Sequence, residues 1–305
     1  MSVLVVGSIA LDTVKTPVEE HTDLLGGSAS YAALGASFFT PVHLVGVVGD
    51  DFPESEFDFW KSHEIDATGV QRAQGKTFRW SGEYAWDLNT RETKSVALNV
   101  FENFEPTLPE NFRETEFVLL ANIAPSLQSH VLDQMKRPRF VVADTMDLWI
   151  ETTRKDLDAL LPSVDLLILN DSEARQMTNN TSLIRAGREI RRMGPKYVAV
   201  KKGEHGALLF GPDEFFSCGA YPLEDIHDPT GAGDTFAGGV AGYLAGKGDG
   251  EVDFRQLRKA LIYGSVLASF SVEAFSMDRM RGLTSDQIEE RYQMFKLMSQ
   301  FEVLE

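Results

Sequence analysis

Six short apolar runs set the frame of this chain: Val3–Val6, Val42–Val48, Phe117–Leu120, Phe140–Val142, Leu166–Leu169 and Tyr197–Val200. Each is followed within two residues by a glycine or a polar residue. Val, Leu and Ile in unbroken succession suit strands buried on both faces, as in a parallel sheet under helices. Helical stretches fill the intervals, near Ala29–Phe39, Ser126–Met135, Thr153–Leu161, Ser182–Met193 and Phe254–Val272. Strand and helix alternate, which predicts a doubly wound, mostly parallel α/β sheet. No internal repeat or low-complexity linker divides the chain, so residues 1–305 are read as one domain.

Lys76–Phe104 breaks the alternation. Phe78-Arg-Trp-Ser-Gly-Glu-Tyr-Ala-Trp86 and a later Val-Ala-Leu-Asn-Val-Phe101 flank a turn-like Asp87–Arg91. Aromatic and apolar residues alternate with polar ones, the pattern of a hairpin with one buried face. Thr13–Leu25 is similarly irregular and predicts one further strand. Segments of about 13–25 and 76–104 thus form a small β unit inserted into the core. Phe78, Trp80, Tyr84 and Trp86 could stack a nucleobase or form that unit's own core, and the core reading is preferred for at least half of them.

Composition removes several function classes. A net charge of -17 argues against a nucleic-acid or anionic-membrane partner, because phosphate backbones need a basic surface. It does not argue against a nucleotide, for which one local cradle of N–H groups and lysines suffices. The single cysteine, Cys218, excludes an internal disulfide framework, fits a reducing compartment and is read as a small buried hydrophobe. The six histidines show no metal-ligand spacing. No run approaches the ~18 apolar residues of a membrane span, and the N-terminus enters a strand without a signal-peptide pattern, so a cytoplasmic location is expected.

The chemistry concentrates in Asp228-Pro-Thr-Gly-Ala-Gly-Asp-Thr-Phe-Ala-Gly-Gly239. Gly231 and Gly233 permit backbone angles closed to other residues, and Ala232 keeps the turn lean. Phe236, Val240, Tyr243 and Leu244 then follow at helical spacing, which places the glycines at a helix N-terminus. Free N–H groups and the positive dipole end make an anion site there. Asp234 would repel that anion, unless its carboxylate takes a proton from a hydroxyl attacking a phosphate. An acidic first turn is otherwise simply stabilising.

Asp12, Asp50, Asn122, Asp144, Asn170 and Lys201 fall just past or near strand C-termini, the edge along which open α/β sheets bind ligands. Some of them merely end strands. Asn170 and Glu173 are three apart, which puts both on one face of a first helical turn. Oxygen ligands for Mg²⁺ and a helix capping box are equally good readings. No Gly-x-x-x-x-Gly-Lys-Ser/Thr run occurs, which excludes a P-loop, and Gly7-Ser-Ile-Ala-Leu-Asp12 lacks the dinucleotide glycines.

The Asp228–Gly239 segment resembles the C-terminal signature of the ribokinase-like (PfkB-type) carbohydrate kinases, and the element order fits along nearly the whole chain. The resemblance implies ATP- and Mg²⁺-dependent transfer of a γ-phosphoryl group to a sugar hydroxymethyl. In it, Gly231, Ala232 and Gly233 stabilise the moving phosphoryl group and Asp234 is the base. Thr230, Asn170, Lys202 and Gly203 border the nucleotide, and Glu173 orders Mg²⁺. Asp12, Gly26, Gly27 and Asn122 meet the acceptor, the glycine pair also serving as a lid hinge. A monovalent cation near Asp228 and a homodimer through Lys76–Phe104 belong to the same expectation. Two departures leave the acceptor open. Tyr31 stands where sugar kinases of this type often carry Asn, and Asp144-Thr-Met-Asp-Leu-Trp149 keeps only the first acid of an Asp-x-Asn-x-Arg pattern. A nucleoside acceptor is the alternative. A non-catalytic sugar or nucleotide sensor is disfavoured by the retained Asp234.

Overall fold

The computed structural model describes residues 1–248 and 250–300. Each apolar run becomes a strand. The first half of the chain gives β1 (Val3–Val6), β2 (Ala10–Lys15), β3 (Glu20–Gly26), α1 (Ser28–Ser37), β4 (Val42–Val48), α2 (Glu54–Ser62) and β5 (Ile65–Arg72). Then come β6 (Phe78–Tyr84), β7 (Arg91–Ala97), β8 (Phe117–Leu120), α3 (Pro125–Gln134), β9 (Phe140–Asp144), α4 (Asp147–Thr152) and α5 (Arg154–Leu160). The second half adds β10 (Leu166–Asn170), α6 (Asp171–Thr178), α7 (Leu183–Arg192), β11 (Tyr197–Lys201), β12 (Ala207–Phe210) and β13 (Phe215–Cys218). Four helices close the described chain: α8 (Ala232–Gly246), α9 (Phe254–Ser271), α10 (Asp278–Arg281) and α11 (Ser285–Met298).

Nine strands form one sheet in the order β13-β12-β11-β10-β9-β8-β1-β4-β5. It is parallel from β5 through β11, and β12 and β13 add antiparallel at one edge. Along β1, Val3 and Val5 face one apolar cluster with residues of α1, α8 and α9, whereas Leu4 and Val6 face another with residues of α3, α5 and α7. Helices on both sides explain why every position of such a strand is apolar. Each fully buried Val or Leu contributes roughly 1.5–3 kcal/mol. Among the described residues, no helix is long and apolar enough to cross a membrane.

The small residues behind the glycine turn have a packing role. A Cβ on Gly238 would lie 2.1 Å from the Ala32 carbonyl oxygen, and one on Gly242 2.5 Å from Ala36 Cα. Helices α1 and α8 therefore touch backbone to backbone, and both N-termini stand over the C-terminal edge of the sheet. Contact this close fixes α8, and with it the start of the site.

A second sheet, in the order β3-β2-β6-β7, forms the inserted unit. The segment expected to give one strand gives two, β2 and β3, closed by a Thr16–Glu19 turn. β3 is mostly polar and exposed at Glu20–Thr22, which hid it from pattern reading. Asp12 consequently lies within β2 of this sheet rather than beyond the end of β1. Trp80 and Tyr84 join a small core with Val14 and Phe275, and Phe78 stacks on Phe101 at 5.3 Å. Trp86 alone of the four aromatics is fully exposed, at 87%. Cys218, expected to be a small buried hydrophobe, is partly buried on the edge strand β13 and packs against the main apolar cluster.

Candidate active site

The site grows from the first turn of α8. Gly231 caps the helix in the left-handed region at φ 75°, and a Cβ there would also fall 2.4 Å from the Tyr31 ring. Glycine is required twice over. Gly233 was expected to need special backbone angles too, but it is an ordinary helical residue. Its missing side chain instead makes room for Lys201, whose Nζ lies 2.9 Å from where a Cβ would be.

Lys201 ends β11, and its ammonium is 3.3 and 3.5 Å from the two oxygens of Asp144 at the end of β9. Sequence reading had assigned the neighbouring Lys202 to the nucleotide. Strand alternation separates the two lysines: Tyr197 and Ala199 pack in the cluster that includes α8, so Lys201 shares that face and Lys202 does not. The Lys202 backbone N–H donates to the Gly206 carbonyl, closing the turn that contains Gly203.

Asp234 lies in the same helical turn, half-buried. Loss of water and then the Asp144 charge push its carboxyl up to about 7, against the pull of Lys201 and Arg91. A carboxylate that titrates near neutrality is well matched to accepting a hydroxyl proton. Asn170 and Glu173 form the complete capping box: Asn170 Oδ1 accepts from the Glu173 N–H at 2.8 Å, and Glu173 Oε2 from the Asn170 N–H at 2.6 Å. Burial pushes the Glu173 carboxyl up to about 7. Its Oε1 takes no protein hydrogen bond among the described residues, so the cap uses only half of the group.

On the acceptor side, Asp12 stands against Gly26, where a Cβ would fall 2.0 Å from its Oδ2. Gly27 follows at φ 88° with Ser8 O only 2.5 Å from a would-be Cβ. Asp12 is 4% exposed, and its Oδ1 is buried without a partner. Burial, then Asp228 and more weakly Asp234, push this carboxyl up to about 8. An orphaned buried oxygen is costly, and a hydroxyl-bearing ligand would relieve it. Asn122 is less available than expected. Its Oδ1 accepts from Trp149 Nε1 at 2.7 Å, and its amide faces Met146 Sδ at 3.1 Å.

Asp228 is fully buried and clamps the turn, accepting from the Thr230 N–H at 2.8 Å and the Ser276 N–H at 3.1 Å. Thr230, expected beside the nucleotide, donates through Oγ1 to the Tyr84 hydroxyl at 3.1 Å. Tyr84 belongs to β6, so the inserted sheet touches the phosphate turn directly. At its tip, Asn89 Nδ2 donates to Glu204 Oε1 at 3.2 Å on the Lys202–Gly206 turn. The sheet thus contacts both the Thr230 turn and the Lys202–Gly206 turn. Lys201, expected on the ligand-binding edge, and Tyr84, one of the four aromatics of the inserted sheet, are joined in the surroundings by Arg91 and Trp149, to which no motif assigned a role.

The residues suit a nucleotide with its metal. The α8 turn presents N–H groups and a helix dipole to phosphate. Among the described residues no group of three or more His, Cys, Asp or Glu side chains that could hold a metal ion occurs.

The sequence profile described as pfkB family carbohydrate kinase matches residues 2–280. A cytidine kinase of Thermococcus kodakarensis is 30% identical over 255 residues, covering 81% of this chain and 90% of the relative. A nucleoside kinase of Methanothermobacter thermautotrophicus is 26% identical, covering 85% and 81%. The structure of Methanocaldococcus jannaschii nucleoside kinase superposes with a TM-score of 0.78 at 21% identity, covering 96% of this chain and 98% of that one. That likeness shows the ribokinase-like fold, the nine-stranded sheet with its small second sheet. With the profile spanning nearly the whole chain, the protein belongs to the PfkB family of carbohydrate kinases and is a phosphotransferase with an alcohol acceptor.

Proposed function

We propose that the enzyme is a nucleoside kinase, moving the γ-phosphoryl group of ATP to the hydroxymethyl group of a ribonucleoside. The observation that carries this reading is the state of the acceptor pocket. Tyr31 replaces a sugar-binding carboxamide and packs flat against Gly231, while Asn122 is already bound to Trp149 and Met146. Asn122 is thereby drawn away from a bare sugar, and the Trp149 ring it binds is an aromatic neighbour of this edge of the sheet. The 30% identical relative is itself a cytidine kinase. This replaces the free sugar favoured from sequence.

In this mechanism the α8 N-terminus and the Gly231–Gly233 turn hold the phosphoryl group, and Asp12 binds the ribose hydroxyls through its unpaired oxygen. Asp234 accepts the proton of the attacking hydroxyl. Glu173, through its uncommitted oxygen, and Asn170 would hold Mg²⁺ at this edge, and the ion would supply neutralisation of charge on the phosphates. Asn89–Glu204 and Tyr84–Thr230 keep the lid down, excluding water that would compete with the acceptor. Gly26–Gly27 is the hinge. A monovalent cation by Asp228 finds less support, because both carboxylate oxygens there already accept backbone N–H bonds.

ADP release measured against cytidine, uridine, adenosine, inosine and free ribose tests the assignment. Turnover of at least one nucleoside with a higher kcat/KM than ribose is expected. A clear preference for ribose would overturn it.

A further inference from the structure

We propose that Lys201 is a catalytic residue of this enzyme: its ammonium, seated in the space left by Gly233, contacts the transferring phosphoryl group and exchanges Asp144 for it. Three observations meet here. Gly233 needs no glycine for its backbone, and a Cβ there would come within 2.9 Å of Lys201 Nζ, the mobile tip of that side chain, so the ammonium lies directly against this position. The ammonium therefore stands against the first turn of α8, in the place to which the anion-binding N–H groups belong. The lysine is also only loosely held. Its contacts to Asp144, at 3.3 and 3.5 Å, exceed the 2.7–2.9 Å of a tight charge-assisted bond. Finally, the side chain is 18% exposed and shares its charge with Asp144, Glu173 and Asp234. Burial alone would lower its pKa, but these three carboxylates outweigh that and keep the proton on.

The step it assists balances simply. The acceptor oxygen forms a bond to the γ-phosphorus as its proton passes to Asp234, and the bond to the ADP oxygen breaks. Lys201 stays protonated throughout and acts by charge alone, gaining on the phosphoryl oxygens what it gives up on Asp144. The role depends on phosphoryl transfer and not on the kind of acceptor, so any acceptor turned over by the wild type serves in the test.

The experiment compares wild type, Lys201→Met, Lys201→Arg and Gly233→Ala. Removal of one donor to a transition-state charge costs on the order of 10²–10³-fold in kcat. Lys201→Met is expected to lose that much, with KM for the acceptor and the Kd for ADP little changed, and Lys201→Arg to recover part of it. A second readout needs no turnover: the Kd of ADP with Mg²⁺ and acceptor, measured with and without aluminium fluoride, which mimics the phosphoryl group in flight. Such analogues bind at least ~10²-fold tighter than ground-state ligands. The fluoride-dependent gain of the wild type should vanish in Lys201→Met. Gly233→Ala, which displaces the ammonium and keeps its charge, should show a weaker form of the same loss, and it carries the test if Lys201→Met does not fold. A Lys201→Met enzyme with wild-type kcat, or with the wild-type response to fluoride, would overturn the assignment.

Discussion

Asp234 and Glu173 owe their character to one cause, withdrawal from water beside other carboxylates. Because Asp234 must be ionised to accept a proton and its carboxyl sits at about 7, activity should be full above neutrality and fall as pH drops through 7. A carboxylate of ordinary pKa would leave kcat/KM flat down to about pH 5. The pH profile of kcat/KM therefore reads the environment of this group. Glu173→Gln keeps a side chain able to close the capping box, so stability should change by less than about 1 kcal/mol. The Mg²⁺ concentration for half-maximal rate should rise, and an unmoved Mg²⁺ titration would leave Glu173 as a cap only. The glycine turn and both acids were legible in the sequence because their spacing implies a helix start. Lys201 was legible only as a strand-end residue on the ligand-binding edge and Lys202 as the nucleotide lysine, since two adjacent lysines look alike until the strand face is known.

The elements divide by exposure. Strands buried on both faces announced themselves as apolar runs, and all six are in the sheet. β3 and β5 did not, because each lies at a sheet edge with much of its side-chain surface in water. The stretch read as one helix near Thr153–Leu161 is α5 and a short 3₁₀ turn, with α4 before it. The small-residue run after Asp234 was read only as a helix; its task is the backbone contact with α1. Gly238→Ala tests that contact. The new methyl would meet the Ala32 carbonyl 2.1 Å away, and a backbone group cannot swing aside. Overpacking of this kind costs about 1–3 kcal/mol, so thermal unfolding should come clearly earlier. An unchanged Tm would mean that α1 and α8 are free to separate.

At the scale of the whole molecule the lid raises the question of assembly. β7 is an edge strand exposed along its whole length, and Val96, Leu98 and Trp86 are 54, 42 and 87% exposed on or beside it. An unpaired edge strand is a liability on a monomer, and although Arg91–Ser95 are polar, Val96, Leu98 and Trp86 leave apolar surface bare beside it. Pairing with the lid of a second copy would cover this one. Light scattering at micromolar concentration should report a dimer, and charges placed at Val96 and Trp86 should dissociate it; a monomeric wild type would contradict the pairing. The account as a whole stands on phosphoryl transfer with Asp234 as the base. Its most direct test is the turnover of Asp234→Asn beside wild type, at saturating ATP and acceptor, with ATP affinity measured separately. Loss of a general base costs on the order of 10²–10⁴-fold. The account predicts a fall of that size with ATP affinity nearly unchanged, and an Asp234→Asn enzyme turning over within a few-fold of wild type would contradict it.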